Sequence, residues 1–258
     1  MTLINQNYRK IFSPILLLCI WELITRLELI PAWFLPVPTI VAKTLFEMVI
    51  SGELVHHTAI SIGRAISGYS IAAVIGVALG LLIAWSRVVE DFFDPLIELI
   101  RPLSTFALIP IFFLWFGIGN TSKIMIIFKS CFFPIVLNTI AGIKGVDKKL
   151  ILAARSLGAQ GKQVWTRVLI PSAMPMIITG MRISTAIAMM ALVGVEMLSS
   201  DSGIGFLVID AQRTFDTERV FAGIIVLSVL GFSLDRLARR IQARILSWHN
   251  ETSLGGTM

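Results

Sequence analysis

Charged side chains are scarce in this sequence of 258 residues. Asp, Glu, Lys and Arg together make up 15% of the chain, whereas soluble domains hold about 25% charged residues. Hydrophobic residues make up 56%, and the mean hydropathy is +0.85. A soluble domain of this composition could not cover its core with a polar surface. The composition therefore indicates an integral membrane protein and excludes disordered chains, disulfide scaffolds and cytosolic enzyme folds.

Catalytic and metal-binding patterns are also missing. The two cysteines, Cys19 and Cys131, lie in apolar runs, and the three histidines have no metal-ligand spacing. The segment 158–163 reads GAQGKQ, which lacks both the spacing and the hydroxyl of a phosphate-binding loop. No serine-nucleophile elbow or zinc-protease motif is present in the sequence. We predict that this chain is not an enzyme and holds neither a metal nor a cofactor of its own.

Six long apolar windows remain, and each is close to the roughly 20 residues that a helix needs to cross a bilayer. Their continuity, without strict alternation, favours helices over a transmembrane barrel. The sequence thus predicts an all-α membrane protein in one transmembrane domain, residues 1–258. The predicted spans are about 11–29, 60–85, 96–116, 124–143, 175–198 and 220–237.

The distribution of Lys and Arg predicts the orientation. With the N-terminus inside, thirteen lie on cytoplasmic segments and four on the opposite side, which is the expected bias for a membrane protein. The net charge of +6 is then a property of the cytoplasmic face, and we expect no nucleic-acid partner. Both termini are predicted to be cytoplasmic. The thirteen are Arg9, Lys10, Arg87, Lys144, Lys148, Lys149, Arg155, Lys162, Arg167, Arg236, Arg239, Arg240 and Arg244; the four are Lys43, Lys123, Arg213 and Arg219.

The segments between the spans contain two further predicted features. In the outer segment 31–59, a Pro-rich turn precedes an apolar helical pattern at Val41, Leu45, Met48 and Val49, which is expected to lie along the membrane interface. The longest inner loop, residues 145–172, is the second feature.

In this inner loop, Lys148 to Leu157 favours a short helix that Gly158 and Gly161 interrupt. A second short helix is predicted over Gln163 to Leu169, ending before Pro171. Two interpretations stay open on the residues alone: a helix-turn-helix knuckle that another protein contacts, or an amphipathic helix that leads into the fifth span.

The loop resembles a known motif. Ala153-Ala154, three residues, Gly158, nine residues and then Val168-Leu169-Ile170-Pro171 match the spacing of the EAA loop in permease subunits of binding-protein-dependent ABC importers. Val168 and Ile170 are conservative variants of that pattern. Leu152 stands where the family usually has Glu, so one polar contact to the ATPase subunit is not expected here.

Other segments resemble one subfamily, which imports sulfonates, taurine, nitrate, bicarbonate and related small compounds. The resemblance covers about residues 12–248. The segments that carry it are Leu35-Pro36-Val37-Pro38, Arg101-Pro102-Leu103, Leu108-Ile109-Pro110, 114–119, Phe133-Pro134, Asn138-Thr139, Gly194-Val195-Glu196-Met197, Ser202-Gly203-Ile204-Gly205 and Asp210-Ala211-Gln212.

The resemblance implies a type I importer permease fold with a cytoplasmic coupling helix in a bacterial inner membrane. It implies a homodimer, two cytoplasmic ABC ATPases that hold the ATP and Mg²⁺, and a periplasmic or lipid-anchored solute-binding protein. A small and anionic solute, such as a sulfonate, taurine or nitrate, would cross by alternating access. The residues expected to couple to the ATPase are Leu152, Ala153, Ala154, Arg155, Gly158, Val168, Ile170 and Pro171.

Three ionisable residues within or near the spans are candidates for the substrate pathway, because charges inside a membrane are costly and are often functional. Lys129 lies near the middle of the fourth span; it could face an anionic substrate, or pair with Glu98 or Glu196, or extend toward the interface. Arg101 could instead form an ion pair with Glu98. Glu196 could line an outer gate or anchor a loop.

A passive channel or a secondary carrier for small anions is the alternative function. Such a protein would not need the inner knuckle and would usually carry inverted repeats.

Overall fold

The computed structural model describes residues 2–246, and within that range the chain forms helices and no strands. The predicted all-α fold class is confirmed. The helices are α1 (Thr2–Arg26), α2 (Pro38–Ile50), α3 (Glu53–Trp85), α4 (Arg87–Ile100), α5 (Ile109–Phe116), α6 (Asn120–Lys144), α7 (Lys148–Ser156), α8 (Gly161–Val164), α9 (Ile170–Ser199), α10 (Ile204–Arg213) and α11 (Thr217–Ile245).

Four helical stretches among the described residues are long and apolar enough to cross a membrane: Glu53–Trp85, Asn120–Lys144, Gly161–Ser199 and Thr217–Ile245. They contain the second, fourth, fifth and sixth predicted spans, and α1 contains most of the first. The count of six crossings stays a prediction.

The third predicted span, 96–116, is not one continuous helix. α4 ends at Ile100, a turn follows, and a short 3₁₀ segment at Phe106–Leu108 leads into α5. Pro102 and Pro110 explain the break, because proline lacks an N–H and its ring disfavours helical geometry at the preceding residue. The predicted span followed the hydrophobicity of this segment and gave no weight to the two prolines, so it missed the break.

The described chain divides into two compact units. The first comprises residues 2–61 with 196–229, and the second comprises residues 62–195 with 230–246. In the first unit, Val41 and Met48 of α2 are buried against Leu54, Leu207 and Ala222. The apolar face that the sequence assigned to the membrane interface thus packs partly inside the protein, while Phe46 and Ile50 remain exposed.

A buried carboxyl group organises the first unit. Glu196 is fully buried, and its two oxygens accept hydrogen bonds from the Ser61 hydroxyl at 2.9 and 2.8 Å and from the Gly205 N–H at 3.0 Å. The Ile204 N–H donates to Ser61 Oγ at 2.9 Å, and the Gly203 N–H donates to His57 Nδ1 at 2.9 Å. A buried charged group needs such partners to offset desolvation. These bonds therefore fix the loop that precedes α10.

In the second unit, α3 and α6 approach closely through glycines. A Cβ atom at Gly80 would lie 2.6 Å from Thr139 Cβ, and one at Gly76 would lie 3.0 Å from Ile135 Cγ2. Small residues four positions apart are a common means of close helix packing in membranes. The contact buries Ile135 and Thr139 completely.

Gly80→Ala should therefore destabilise the second unit. The added methyl group forces α3 and α6 apart, at a cost of about 1–3 kcal/mol, and the midpoint of thermal unfolding of the detergent-purified protein should fall. Gly63→Ala is the matched control in the same helix, since nothing lies within 4 Å of its Cβ position. Equal unfolding midpoints for the two variants would contradict the packing argument.

Gly203→Ala should destabilise the protein more than Gly52→Ala. Both glycines have positive φ, +110° and +79°, so both variants incur left-handed strain of about 1–2 kcal/mol. Only at Gly203 would the new Cβ lie 2.2 Å from Glu196 Oε1, whereas Gly52 has open space. Thermal unfolding of the two variants measures the difference, and similar losses would show that the Glu196 anchor does not depend on this close approach.

Candidate functional site

The predicted coupling loop, residues 145–172, begins with a capped helix. The Asp147 carboxylate accepts a hydrogen bond from the Lys149 N–H at 2.9 Å, which satisfies one free donor at the start of α7. α7 ends at Ser156, one residue before the predicted end. The first half of the predicted helix-turn-helix is therefore present as a separate, well-defined element.

Gly158 reverses the chain after α7, as predicted. Its φ is +84°, in the left-handed region that favours glycine, and its N–H donates to the Arg155 carbonyl at 2.9 Å. The Ala159 N–H donates to the Ala154 carbonyl at 3.0 Å. These bonds satisfy carbonyls at the end of α7 and close a compact turn.

The second half of the loop differs from the prediction, because the helix does not end before Pro171. α8 passes into a π-helical segment at Trp165–Leu169 and then directly into α9, where Pro171 lies in the first turn. The Ile170 N–H donates to the Trp165 carbonyl, five residues back. The wider π turn accommodates the missing proline N–H, so one helical rod runs from the loop into the fifth predicted span.

The π-helical segment contacts α3 through a pair of indole rings. Trp165 packs against Trp85 at the end of α3, with the ring centroids 4.7 Å apart. The side chains of Leu169 and Ile170 pack beside Ile143 and Ala173. The base of the loop is thus attached to α3 and α6 by apolar contacts.

The predicted coupling residues separate onto two faces of the knuckle. Leu152, Ala153 and Arg155 are exposed, as is Gly158, while Ala154 is half-buried. The spacing of Lys149, Leu152, Ala153 and Ser156 places these four exposed residues on one face of α7. Val168, Ile170 and Pro171 are half-buried on the returning helix. The outward face thus combines one long cation, one leucine and two small side chains.

A cleft of about 440 Å³ lies at the base of the knuckle. It brings the start and the end of the loop together, and it is lined by Gly145, Val146, Asp147, Leu150, Pro171, Ser172 and Pro175. The loop is therefore a folded unit rather than an extended connection.

A second candidate region surrounds the break between α4 and α5. The ammonium group of Lys129 on α6 donates hydrogen bonds to the Leu103 carbonyl and, at 3.2 Å, to Thr105 Oγ1. The Ser130 hydroxyl lies 3.1 Å from Thr105 Oγ1. One alternative predicted for Lys129 was an ion pair with Glu98 or Glu196. The structure instead shows hydrogen bonds from Lys129 to a carbonyl and a hydroxyl.

These residues line a cavity of about 420 Å³. Arg101 and Lys129 both border it, and no Asp or Glu is among its lining residues in the described part of the chain. Within residues 2–246, Arg101 makes no ion pair with Glu98, so that predicted pair is absent. The lining residues are Arg101, Leu103, Thr105, Lys129, Ser130, Phe133, Pro134, Leu137 and Asn138.

The structure favours the loop-anchoring alternative for Glu196. Its carboxyl group is fully buried within the first unit and accepts hydrogen bonds from Ser61 and Gly205.

Sequence reasoning missed Thr105, which accepts a hydrogen bond from Lys129, and missed Ser130 and Asn138, which line the same cavity. A usable signal was present in α6, where Ser130, Pro134 and Asn138 recur every four residues and so share one helix face next to Lys129. Thr105 had no such signal, because its place beside Lys129 depends on the break between α4 and α5.

Comparison with known proteins identifies the family. The profile described as "Binding-protein-dependent transport system inner membrane component" matches residues 76–247. The putative aliphatic sulfonates transport permease protein SsuC of Bacillus subtilis is 38% identical over 242 residues, covering 94% of this chain and 88% of that protein. The taurine transport system permease protein TauC of Escherichia coli is 36% identical over 240 residues, covering 91% and 87%.

A solved structure shares the fold. The chain aligns with a chain of the MetNI methionine ABC transporter in an inward-facing conformation with a TM-score of 0.65 and 17% identity, covering 74% of this chain and 95% of that one. The fold is therefore that of a type I importer permease, and the resemblance read from the sequence is confirmed. The chain belongs to the family of inner membrane components of binding-protein-dependent transport systems, the permease subunits of ABC importers.

Proposed function

We propose that this chain forms the translocation pathway of an ATP-driven importer for small sulfonate-type solutes. The names of two relatives, an aliphatic sulfonates permease and a taurine permease, support this substrate class. The solute would cross a bacterial cytoplasmic membrane by alternating access, with both termini of the chain on the cytoplasmic side. The chain itself would carry out no chemistry.

The proposed assembly contains two copies of this chain, two cytoplasmic ATPase subunits and a solute-binding protein that is periplasmic or lipid-anchored. ATP and Mg²⁺ would bind to the ATPase subunits. In this arrangement, the transporter uses nucleotide-driven movement of one partner to switch the helices of another, which is a rigid-body transition.

The observation that carries the proposal is the geometry of the coupling knuckle. α7 presents Leu152 and Ala153 outward, while the returning helix is attached through Trp165 to α3 and continues into α9. A force applied to α7 would reach these two long apolar helices through the compact hydrogen-bonded turn at Gly158. Leu152 gives the contact an apolar character where the family usually has Glu.

A passive channel or secondary carrier is the less favoured alternative. Neither would need an exposed helix that is joined rigidly to long apolar helices. An ABC importer needs ATP hydrolysis by its partner subunits, whereas a channel or secondary carrier does not. An experiment that varies the supply of ATP therefore distinguishes the two functions.

Uptake into proteoliposomes tests the energy source. The chain is reconstituted with cognate ATPase and solute-binding subunits, and uptake of a radiolabelled alkanesulfonate is measured. Uptake should require hydrolysable ATP and should stop with a non-hydrolysable analogue. Equal uptake by the chain alone, without ATP, would favour a carrier.

Ala153→Trp should prevent assembly with the ATPase, because a large ring on the outward face of α7 blocks close approach of another protein. We expect copurification of the ATPase to fall at least about tenfold, since a clash costing about 1.4 kcal/mol already has this effect. Ala42→Trp is the matched control, an exposed alanine in α2 on the predicted outer segment. Retained ATPase binding by Ala153→Trp, with both variants folded, would exclude this face as the docking site.

A further inference from the structure

We propose that the cavity at the α4–α5 break is a binding site for the oxyanion group of the transported solute. The inference rests on the proposed transport function and adds the atoms that would hold the solute inside the membrane. The site consists of Lys129, Thr105 and Arg101 as donors, with Ser130 positioning Thr105.

The first argument is the depth of the break. Lys129 is the tenth residue of α6, which has 25 residues, so it lies about 14 Å along the helix axis from Asn120. Backbone without helical hydrogen bonds is tolerated at membrane depth only where it is buried in protein or lines a cavity. The break at residues 101–105 satisfies this rule because it borders the cavity. Interrupted helices at this depth are a frequent basis of solute sites in transporters.

The second argument is the charge of the lining. Arg101 and Lys129 contribute two cations, and no carboxylate among the described lining residues offsets them. A cation in a membrane is costly, so two cations beside one cavity indicate a site that is occupied by an anion during function. Burial of a neutral or cationic solute would leave this cost in place.

The third argument is the supply of hydrogen-bond donors. An ammonium group has three N–H donors. Lys129 donates two of them to the Leu103 carbonyl and Thr105 Oγ1, so among the described contacts one N–H remains for a ligand. Thr105 Oγ1 accepts from Lys129 and lies 3.1 Å from Ser130 Oγ. When Ser130 donates to Thr105 rather than to the Ile126 carbonyl at 2.9 Å, the Thr105 hydroxyl hydrogen can donate to a ligand. The exposed guanidinium of Arg101 supplies a planar pair of donors. These donors suit the three oxygens of a sulfonate.

The size of the cavity fits the same class of ligand. Its volume of about 420 Å³ lies within the range of small-molecule sites, about 300–1,000 Å³. Phe133 and Leu137 add apolar wall next to the donors, which suits a short alkyl chain attached to an oxyanion.

A purely structural role for Lys129, in which it only holds the broken backbone, predicts the same contacts. Chemical labelling distinguishes the two. In a chain whose two native cysteines are replaced by alanine, Ser130→Cys places a thiol in the cavity. Its rate of reaction is measured with two methanethiosulfonate reagents, one with an anionic ethylsulfonate tail and one with a cationic trimethylammonium tail.

With Lys129 present, the anionic reagent should react faster, and millimolar ethanesulfonate should slow it. Lys129→Gln should slow the anionic reagent about fivefold and speed the cationic reagent about fivefold, the effect that one charge about 4 Å away has even in bulk water, so the ratio of anionic to cationic rates should fall about 25-fold. It should also abolish protection by ethanesulfonate. Lys129→Arg should keep the ratio. An unchanged ratio in Lys129→Gln would overturn the proposal.

Lys144→Gln is the matched control, since Lys144 lies on the same helix and pairs with Glu90 rather than lining the cavity. It should leave the ratio unchanged, and an equal fall there would also overturn the proposal. If Lys129→Gln does not give monodisperse protein, Arg101→Gln supplies the same test from the other cation. The labelling needs no ATP or partner subunit, so its outcome is independent of whether transport is reconstituted.

Discussion

The structure depends on the requirement that backbone polar groups removed from water find hydrogen-bond partners. Long helices meet this requirement within themselves, which is why α3, α6, α9 and α11 form wherever the sequence is continuously apolar. The break between α4 and α5 does not meet it. There the Leu103 carbonyl is satisfied by Lys129 from a neighbouring helix. The hydrogen bond between them reduces the desolvation cost of both the Lys129 ammonium group and the Leu103 carbonyl, and both residues line the cavity.

The same requirement explains the two other polar features of the fold. Glu196 is fully buried, and the loop before α10 supplies N–H groups to its oxygens and to Ser61. At Pro171, which has no N–H to donate, the π-helical turn of Trp165–Leu169 adjusts the helix so that it continues. In each case an irregular backbone segment is held by specific hydrogen bonds and is joined to a long helix. Such segments can move as units with the helices that carry them.

Close packing of the helices is the complementary constraint. Lipid offers apolar side chains as good an environment as another helix does, so association relies on fit rather than on hydrophobicity. Gly80 allows α3 to lie against Thr139 of α6 at a distance that a methyl group would prevent, and a Cβ atom at Gly76 would be in tight contact with Ile135. The proposed alternating access would need such rigid pairs, and the predicted coupling loop is attached to this pair through Trp85 and Trp165.

The sequence by itself determined the class of the protein, because composition and continuous apolar runs suffice to predict membrane helices, and the spacing from Ala153 to Pro171 suffices to indicate the family. It also located Lys129 and Arg101 as candidates, since an isolated charge in an apolar run is visible without a structure. The tertiary structure decided what hydropathy cannot register: that 96–116 is broken, that the helix continues through Pro171, and that Glu196 anchors a loop. These outcomes depend on which groups lie opposite one another in space, and Thr105 reaches Lys129 only because the chain between them is folded.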